Sequence, residues 1–483
     1  MGGFEDSNND DNSNNNASSS SSSSLHVAVL AFPFGTHAGP LLSLVEKIAD
    51  SAPNVTFSFF STARSIDKVF SNKRIPNVRP RIVHDGLPKG FRPSSPMEPI
   101  NLFLKETPEN YRRAMEEAVE EENGKKITCL VSDAFYWFCA DMAEEMQAKW
   151  IPVWTSGPHS LLAHLSTDIL RWRLSWNGGK KDRTLNFIPG LSDANFSDLP
   201  REIASEEEME APFAAMMHKM SQMLPRATAL AINSFDAVFP TIVKELESKF
   251  KLLLLVGPFP ITTKPKPPLR VRVKITAENP DSDPISPDST GCLKWLDQQE
   301  DASVAYISFG SFMTPPPHEL AALADAIEES GFPFIWSFRG DPETELPFAF
   351  LKRTKNKGKV VPWAPQSHIL KHRAVGVFVT HCGWNSIMES VVGGVPMICR
   401  PFFGDQMLNT RMLEKAWGIG VGVESGEFTR KGTLKVLEMV LASEKGNVMR
   451  QKVVELQYSA MEADKPYGNS TQNFKTLIDL VTK

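Results

Sequence analysis

The stretch 363–406, WAPQSHILKHRAVGVFVTHCGWNSIMESVVGGVPMICRPFFGDQ, decides the fold. It reads as a loop and short helix, the apolar strand 375–379, a helix opening near Gly383, the strand 395–399, and a polar loop closing on Asp405 and Gln406. That is a βαβ pattern, and open parallel sheets bind ligands beyond the carboxyl ends of their strands. Thr380, His381, Gly383, Asn385 and Ser386 fall where strand meets helix, so unpaired N–H groups and the positive end of the helix dipole face the crevice. Such an end suits a phosphate. Asn385 and Glu389 are four apart on one helix face, about 5–6 Å between Cβ atoms. One ligand can therefore meet the first with a phosphate and the second with a ribose hydroxyl, which fits a nucleotide sugar. Taken singly, each position also reads as ordinary capping in a buried βαβ core.

Outward from this stretch the chain repeats the same units. LHVAVLAFPF (25–34) is a near-continuous apolar run, as in a strand buried on both faces. NVTFSFFS, NVRPRIVHD, ITCLVSD and WIPVWTS continue the series, separated by helical stretches such as 105–122 and 135–148. A second series starts at SVAYISFGS (303–311) and runs through the box to GIGVGVE. The two series predict an α/β fold class with two Rossmann-like doubly wound parallel sheets; the resemblance given below implies that they face a cleft. The boundaries read as a disordered Asn/Ser tail 1–24, an N-terminal unit 25–255, a Pro-rich linker 256–290, a C-terminal unit 291–460 and a closing segment 461–483. The first βα turn holds Gly35 and Gly39, without the third spaced glycine of a dinucleotide fingerprint, which disfavours NAD. Gly418, Gly420 and Gly422 read as strand packing, whereas Ser311, after Gly310 at a strand end, is a candidate phosphate contact.

His37 lies in the first βα loop, at the strand end where an open sheet places its crevice. A general base needs a pKa near the working pH, and imidazole, at about 6.5, is the natural supplier. On position alone a structural role is the stronger reading. Asp133 ends the strand ITCLVSD, so it reaches the same edge and can hold one ring nitrogen of His37. Its alternative is an N-cap for the helix 135–148.

Composition narrows the class. With 483 residues, 41% hydrophobic, the chain is long enough for two large cores. A net charge of −5 without basic clusters gives no footprint for nucleic acid or an anionic membrane. Five cysteines without CxxC spacing, no apolar run of membrane length and no signal-like N-terminus predict a cytoplasmic protein, expected as a monomer.

The box resembles the signature motif of plant UDP-dependent glycosyltransferases, from its opening Trp to its closing Gln. VLAFPFGTHAGPLL, LVSDAFYWF, WTSGPHSLLAH and INSF extend the likeness to the flavonoid and anthocyanidin 3-O-glucosyltransferases, so it covers 25–483. It implies a GT-B fold, acceptor in the N-terminal unit, UDP-sugar in the C-terminal unit, and a last helix crossing back. It further implies that Trp363 stacks on uracil while Ala364 offers backbone hydrogen bonds, and that Gln366 and Glu389 hold the ribose. His381, Asn385 and Ser386 would bind the diphosphate; Trp384, Asp405, Gln406 and Thr155 the sugar. His37 becomes the base and Asp133 its partner. Gln406 is associated with glucose, where a His is associated with galactose.

The implied reaction is direct displacement at the anomeric carbon of UDP-glucose, inverting α to β. No prosthetic group is expected, and no metal, because DxD and His/Cys clusters are missing from the relevant places. Phe34, Phe135, His164 and Phe403 are candidates to wall a flat acceptor pocket, His164 with a hydrogen bond to a phenol. Many flavonoid 3-hydroxyl members carry a Gln in the segment matching SPMEPINLF; here Met97 stands in that place. Other readings are the same chemistry on another phenol or terpenoid, and a silent UDP-sugar binding protein, against which stand both His37 and Asp133.

Overall fold

A strand covered on both faces needs apolar residues at every position, and β1 (His26–Leu30) meets that demand with all its residues buried. Its one polar side chain, His26, bonds Ser58 Oγ at 2.9 Å and the Lys125 carbonyl at 3.0 Å. The computed structural model describes residues 25–483 apart from 72–73, 89, 96, 177–182, 206, 208, 210, 260–287 and 312. The tail 1–24 and most of the linker 256–290 lie outside the described residues.

Around β1 gather β2 (Thr56–Ser61), β3 (Val78–Ile82), β4 (Ile127–Asp133), β5 (Lys149–Trp154), β6 (Leu230–Ile232) and β7 (Leu253–Leu255). They form one parallel sheet in the order β3-β2-β1-β4-β5-β6-β7. The second parallel sheet holds β8 (Val304–Ser308), β9 (Phe334–Ser337), β10 (Gly358–Val361), β11 (Val375–Thr380), β12 (Met397–Cys399) and β13 (Gly420–Gly422). Its order is β10-β9-β8-β11-β12-β13. In both sheets the chain reverses its direction of winding next to the first strand, between β1 and β4 and between β8 and β11. Such switch points leave a crevice at the carboxyl ends. The two sheets with their flanking helices are two Rossmann-like units, as the sequence series predicts.

Two helices differ from the sequence expectation. The one expected over 105–122 begins at Glu98 and continues through Pro108 to Glu121. Pro99 stands in its first turn, where the missing N–H is no loss. The helix expected over 135–148 shrinks to Cys139–Glu145, capped by Phe138. Asp133 Oδ1 accepts the Phe135 N–H at 3.0 Å, and the Tyr136 N–H reaches the Asp133 carbonyl, so 134–136 turn instead of starting a helix.

One apolar core runs from the first sheet into the second unit, through Trp154, Phe239, Trp384 and Met397. Phe239 and Trp417 stack across it at 4.6 Å. Polar ties accompany this packing: the Trp384 indole N–H donates to the Asn233 carbonyl at 2.7 Å, and Arg411 Nε to Asp198 at 2.9 Å. The last helix, Asn469–Thr482, lies on the first sheet with Phe474, Leu477 and Val481 in its core. Its Asn473 donates to the Leu255 carbonyl, and Lys149 donates to the Leu480 carbonyl.

Leu477 is fully buried, so Leu477→Ala is expected to lower unfolding stability by about 2–5 kcal/mol, the range for a buried Leu. Urea titration measures it; a loss below about 1 kcal/mol would mean the last helix is not docked as described.

Buried histidines make stability pH-dependent, His159 and His164 among them. His159 is fully buried, with Nε2 2.5 Å from Asn409 Oδ1, and burial pushes its pKa down to about 4. Burial, then the charge of Arg171, pushes His164 down to about 3; Glu202 at 3.9 Å is beyond hydrogen-bond range. Both values lie below the ordinary 6.5, so below it the unfolded chain binds more protons than the folded one. The stability is complete above about pH 6.5 and is lost as pH falls toward 4, at up to about 1.4 kcal/mol per unit per histidine. Thermal melts from pH 7.5 to 4.5 should show this fall, and His164→Phe should make it shallower; an unchanged slope would remove His164 from the account.

Candidate active site

His37 follows β1 and Asp133 ends β4, so the switch point of the first sheet brings them together. His37 Nδ1 lies 2.8 Å from Asp133 Oδ2, and the carboxylate is 1% exposed. An ionised carboxylate only accepts, so Nδ1 carries the proton and Nε2 is the free basic nitrogen. The other carboxylate oxygen takes the Phe135 N–H, which fixes Asp133 as a holder of the ring rather than a helix cap. Thr155 Oγ1 stands 3.3 Å from His37 Nδ1, beside the ring. Phe135 packs on the imidazole at 4.6 Å between centroids and Phe32 meets it edge-on at 5.3 Å.

The second switch point lies opposite. After β8, Gly310 at φ +74° and the exposed Ser311 turn the chain; after β11, His381, Cys382 and Gly383 lead into the helix Trp384–Gly393. A Cβ on Gly310 would sit 2.8 Å from the His381 ring, so glycine is required by both conformation and contact. Burial, then the charge of Arg339, pushes the His381 pKa down to about 4. At neutral pH it is an uncharged donor. The Trp384, Asn385 and Ser386 amides open the helix, and Asn385 Oδ1 accepts from Asn233 at 3.1 Å, which leaves its NH2 group for a ligand.

Beside them a hydrogen-bonded set is already assembled. Gln366 donates to Glu389 and, at 3.2 Å, to Ser386 Oγ; its carbonyl takes the Tyr306 hydroxyl at 3.2 Å. Ser367 Oγ donates to the other Glu389 oxygen at 2.6 Å. Both ends of the Gln366 amide are thus engaged within the protein, and Glu389 is the member with lone pairs left for hydroxyls. Trp363 is partly buried in the loop after β10, and the Ala364 carbonyl takes the Gln366 N–H at 2.9 Å.

The loop 400–406 brings the units into contact. Asp405 Oδ2 accepts from Ser156 Oγ of the first unit. Burial pushes the Asp405 pKa up from its ordinary value, against hydrogen bonds from Ser156 and Asn409 and the nearby His37. Gln406 is 5% exposed, and its carbonyl oxygen takes the Phe402 and Phe403 N–H groups at 2.8 and 3.3 Å. Its NH2 is what remains for a ligand. The Trp384 indole N–H is likewise engaged, on Asn233, leaving its main-chain N–H at the helix start.

The candidate acceptor residues separate. Phe34 and Phe135 both pack on Phe32, and Phe34 meets Phe103 at 5.4 Å. A cavity of about 360 Å³ lies against Phe135, between the helices Glu98–Glu121 and Pro212–Met223. Met97 is exposed at the start of the first of these helices, and Phe403 is exposed on the loop before Asp405. His164 is 3% exposed under Trp154, so it does not offer the phenol a hydrogen bond from this position. Sequence reasoning missed Tyr306, Ser367, Ser156, Asn233 and Asn409, although the segments SVAYISFGS, WAPQSHIL, WTSGPHSLLAH and INSF hold the first four.

Among the described residues, no group of three or more His, Cys, Asp or Glu side chains could hold a metal ion, and no helix is long and apolar enough to cross a membrane. All five cysteines are buried and free.

The family model for UDP-glucoronosyl and UDP-glucosyl transferases matches residues 33–466. A flavonoid 3-O-glucosyltransferase of Medicago truncatula is 55% identical over 95% of this chain and 97% of its own length. An anthocyanidin 3-O-galactosyltransferase of Rhododendron delavayi is 47% identical over 94% of this chain and 97% of its own. The crystal structure of a UDP-glucose:anthocyanidin 3-O-glucosyltransferase in complex with UDP superposes with a TM-score of 0.86, at 40% identity over 95% of this chain and 99% of that one. With its two facing switch points and the complete box between them, the chain belongs to the UDP-dependent glycosyltransferases of plants, a family of GT-B enzymes.

Proposed function

We propose that this protein transfers glucose from UDP-glucose, with inversion, to a flavonoid hydroxyl, the 3-hydroxyl of a flavonol or anthocyanidin. The observation that carries the reading is the His37–Asp133 pair, 2.8 Å apart and set across from the loop of Asp405. The free His37 Nε2 takes the acceptor proton as the acceptor oxygen bonds to the anomeric carbon. The bond from that carbon to the diphosphate oxygen breaks, and its electron pair leaves with UDP. Asp133 keeps the Nδ1 proton in place and stabilises the imidazolium formed. Donors at the leaving group are the Trp384–Ser386 amides, the Asn385 NH2 and the neutral His381, with Ser311 across the gap. Glu389 receives the ribose hydroxyls, Trp363 and Ala364 the base, and Asp405, Gln406 and Thr155 the sugar.

Relatives of nearly equal identity carry glucosyl and galactosyl transferase names, so overall likeness does not choose the sugar. Gln406 supports glucose: with its carbonyl anchored on two backbone N–H groups, its NH2 points one fixed donor at one hydroxyl. The acceptor reading rests on Phe34 and Phe135 beside His37, where a flat ring gains about 25 cal/mol per Å² buried. The enol-like 3-hydroxyl delocalises its anion, which suits an imidazole base. Met97 cannot supply an amide to the acceptor, and a buried His164 does not replace it, so shape directs the orientation. The protein is proposed to act as a cytosolic monomer.

His37→Ala should reduce transfer by at least about 100-fold while UDP affinity holds, the low end for losing a general base. Glu389→Ala should chiefly raise the KM for UDP-glucose. Near-normal turnover in His37→Ala would remove the assigned base.

The function itself is tested by supplying UDP-glucose or UDP-galactose with kaempferol, cyanidin and an isoflavone lacking the 3-hydroxyl, and locating the sugar by NMR. A 3-O-β-glucoside should dominate, with kcat/KM for UDP-glucose about 10-fold or more above UDP-galactose, given about 1–3 kcal/mol per misplaced polar contact. Dominant transfer to the isoflavone 7-hydroxyl would sink the acceptor assignment, and equal use of both sugars the role of Gln406.

A further inference from the structure

A buried side chain of the first unit bears directly on the diphosphate site of the second. Asn233 follows β6 and is fully buried. Its Oδ1 accepts the Phe259 backbone N–H at 2.9 Å, and its Nδ2 donates to Asn385 Oδ1 at 3.1 Å. Its own carbonyl takes the Trp384 indole N–H at 2.7 Å. The chain at Gly257 presses against the same group, since a Cβ there would come within 2.5 Å of Asn233 Oδ1.

These contacts have a fixed direction. A backbone N–H can only donate, so the Asn233 atom facing Phe259 must be the oxygen, and the atom facing Asn385 must be the NH2. The Asn385 atom receiving that bond must then be its oxygen, which sends its own NH2 the other way, toward the helix start. We infer that Asn233 is a positioning residue for the donor: it sets the Asn385 amide so that a donor, not an acceptor, meets the diphosphate of the UDP-sugar. A reversed Asn385 would present a carbonyl dipole to the phosphate oxygens. The inference rests on the diphosphate-site reading above and adds the residue that gives the site its polarity. It also ties donor affinity to domain contact, because the polarity exists only while the first unit touches the second.

The decisive variant is Asn233→Asp, nearly identical in shape. One carboxylate oxygen still accepts the Phe259 N–H, but the other can only accept from Asn385, which must then turn its NH2 inward. Titration calorimetry with UDP and with uridine separates polarity from packing, since uridine lacks the diphosphate. UDP affinity should fall by about ten-fold or more, the scale of a misplaced polar contact, with uridine affinity unchanged. Repulsion of UDP by the new charge is the competing explanation, so the same substitution is repeated in an Asn385→Ala background, where such repulsion would persist. There it should weaken UDP by less than about two-fold, since a residue acting through Asn385 has nothing left to turn. Should the buried carboxylate prevent folding, Asn233→Ala is read through the same cycle, with about three-fold loss for UDP expected in the presence of Asn385 alone. Equal losses for UDP and uridine, or equal losses in both backgrounds, would overturn the inference. If the wild-type protein bound no UDP at all, the proposed function would fall first, which keeps the two failures apart.

Discussion

The hydrogen bond from the Trp384 indole to the Asn233 carbonyl, 2.7 Å long and buried, joins the two units at the point where each has chemistry to offer. Trp384 opens the helix whose first amides are proposed as donors to the diphosphate, and Asn233 follows a strand of the sheet that carries His37. Parallel strands leave their crevice at the carboxyl ends, but a crevice in one sheet holds one substrate. Two switch points set face to face hold two. The ties around Trp384 therefore bear on more than stability: Ser156 on Asp405 and His159 on Asn409 span the same seam, and Asn409 is tied in turn to the Cys382 carbonyl within the second unit.

The electrostatics of this seam favour directed dipoles over charge. His381 is held neutral by burial, helped by Arg339. Helix amides, an asparagine and a serine supply the remaining donors. In a water-poor crevice such groups are worth more than in solution and need no reorganisation as charge develops on the leaving group. In the first unit the polarity is opposite, with a basic nitrogen of His37 kept available because Asp133 occupies the other nitrogen of the ring.

The residues around Glu389 are hydrogen-bonded to one another within the protein. Tyr306, Gln366, Glu389, Ser386 and Ser367 form one connected network. A half-buried carboxylate without partners would be costly, while one hydrogen-bonded on both oxygens, as Glu389 is, is held in a single orientation. Within the network Gln366 and Ser367 hold the two Glu389 oxygens in place, the arrangement on which the proposed ribose contact rests.

The sequence alone determined the architecture, because apolar runs such as His26–Leu30 and Val375–Thr380 have few other ways to be buried, and because glycines and polar residues mark where each strand hands over to a helix. It also determined which residues stand at those strand ends, including His37, Asp133 and the box from Trp363 to Gln406. It left two readings for Asp133, and tertiary structure chose the histidine partner: the carboxylate spends one oxygen on the Phe135 N–H and the other on a ring 96 residues away. The same is true of direction. Whether Gln406 offers its carbonyl or its NH2, which way Asn385 turns, and whether His164 opens to a ligand depend on neighbours from distant segments: the turn at Phe402–Phe403, Asn233, and the Trp154 that covers the imidazole. Residue types and strand ends are local properties of a chain, whereas the orientation of an amide or the exposure of a ring is fixed by the groups packed around it.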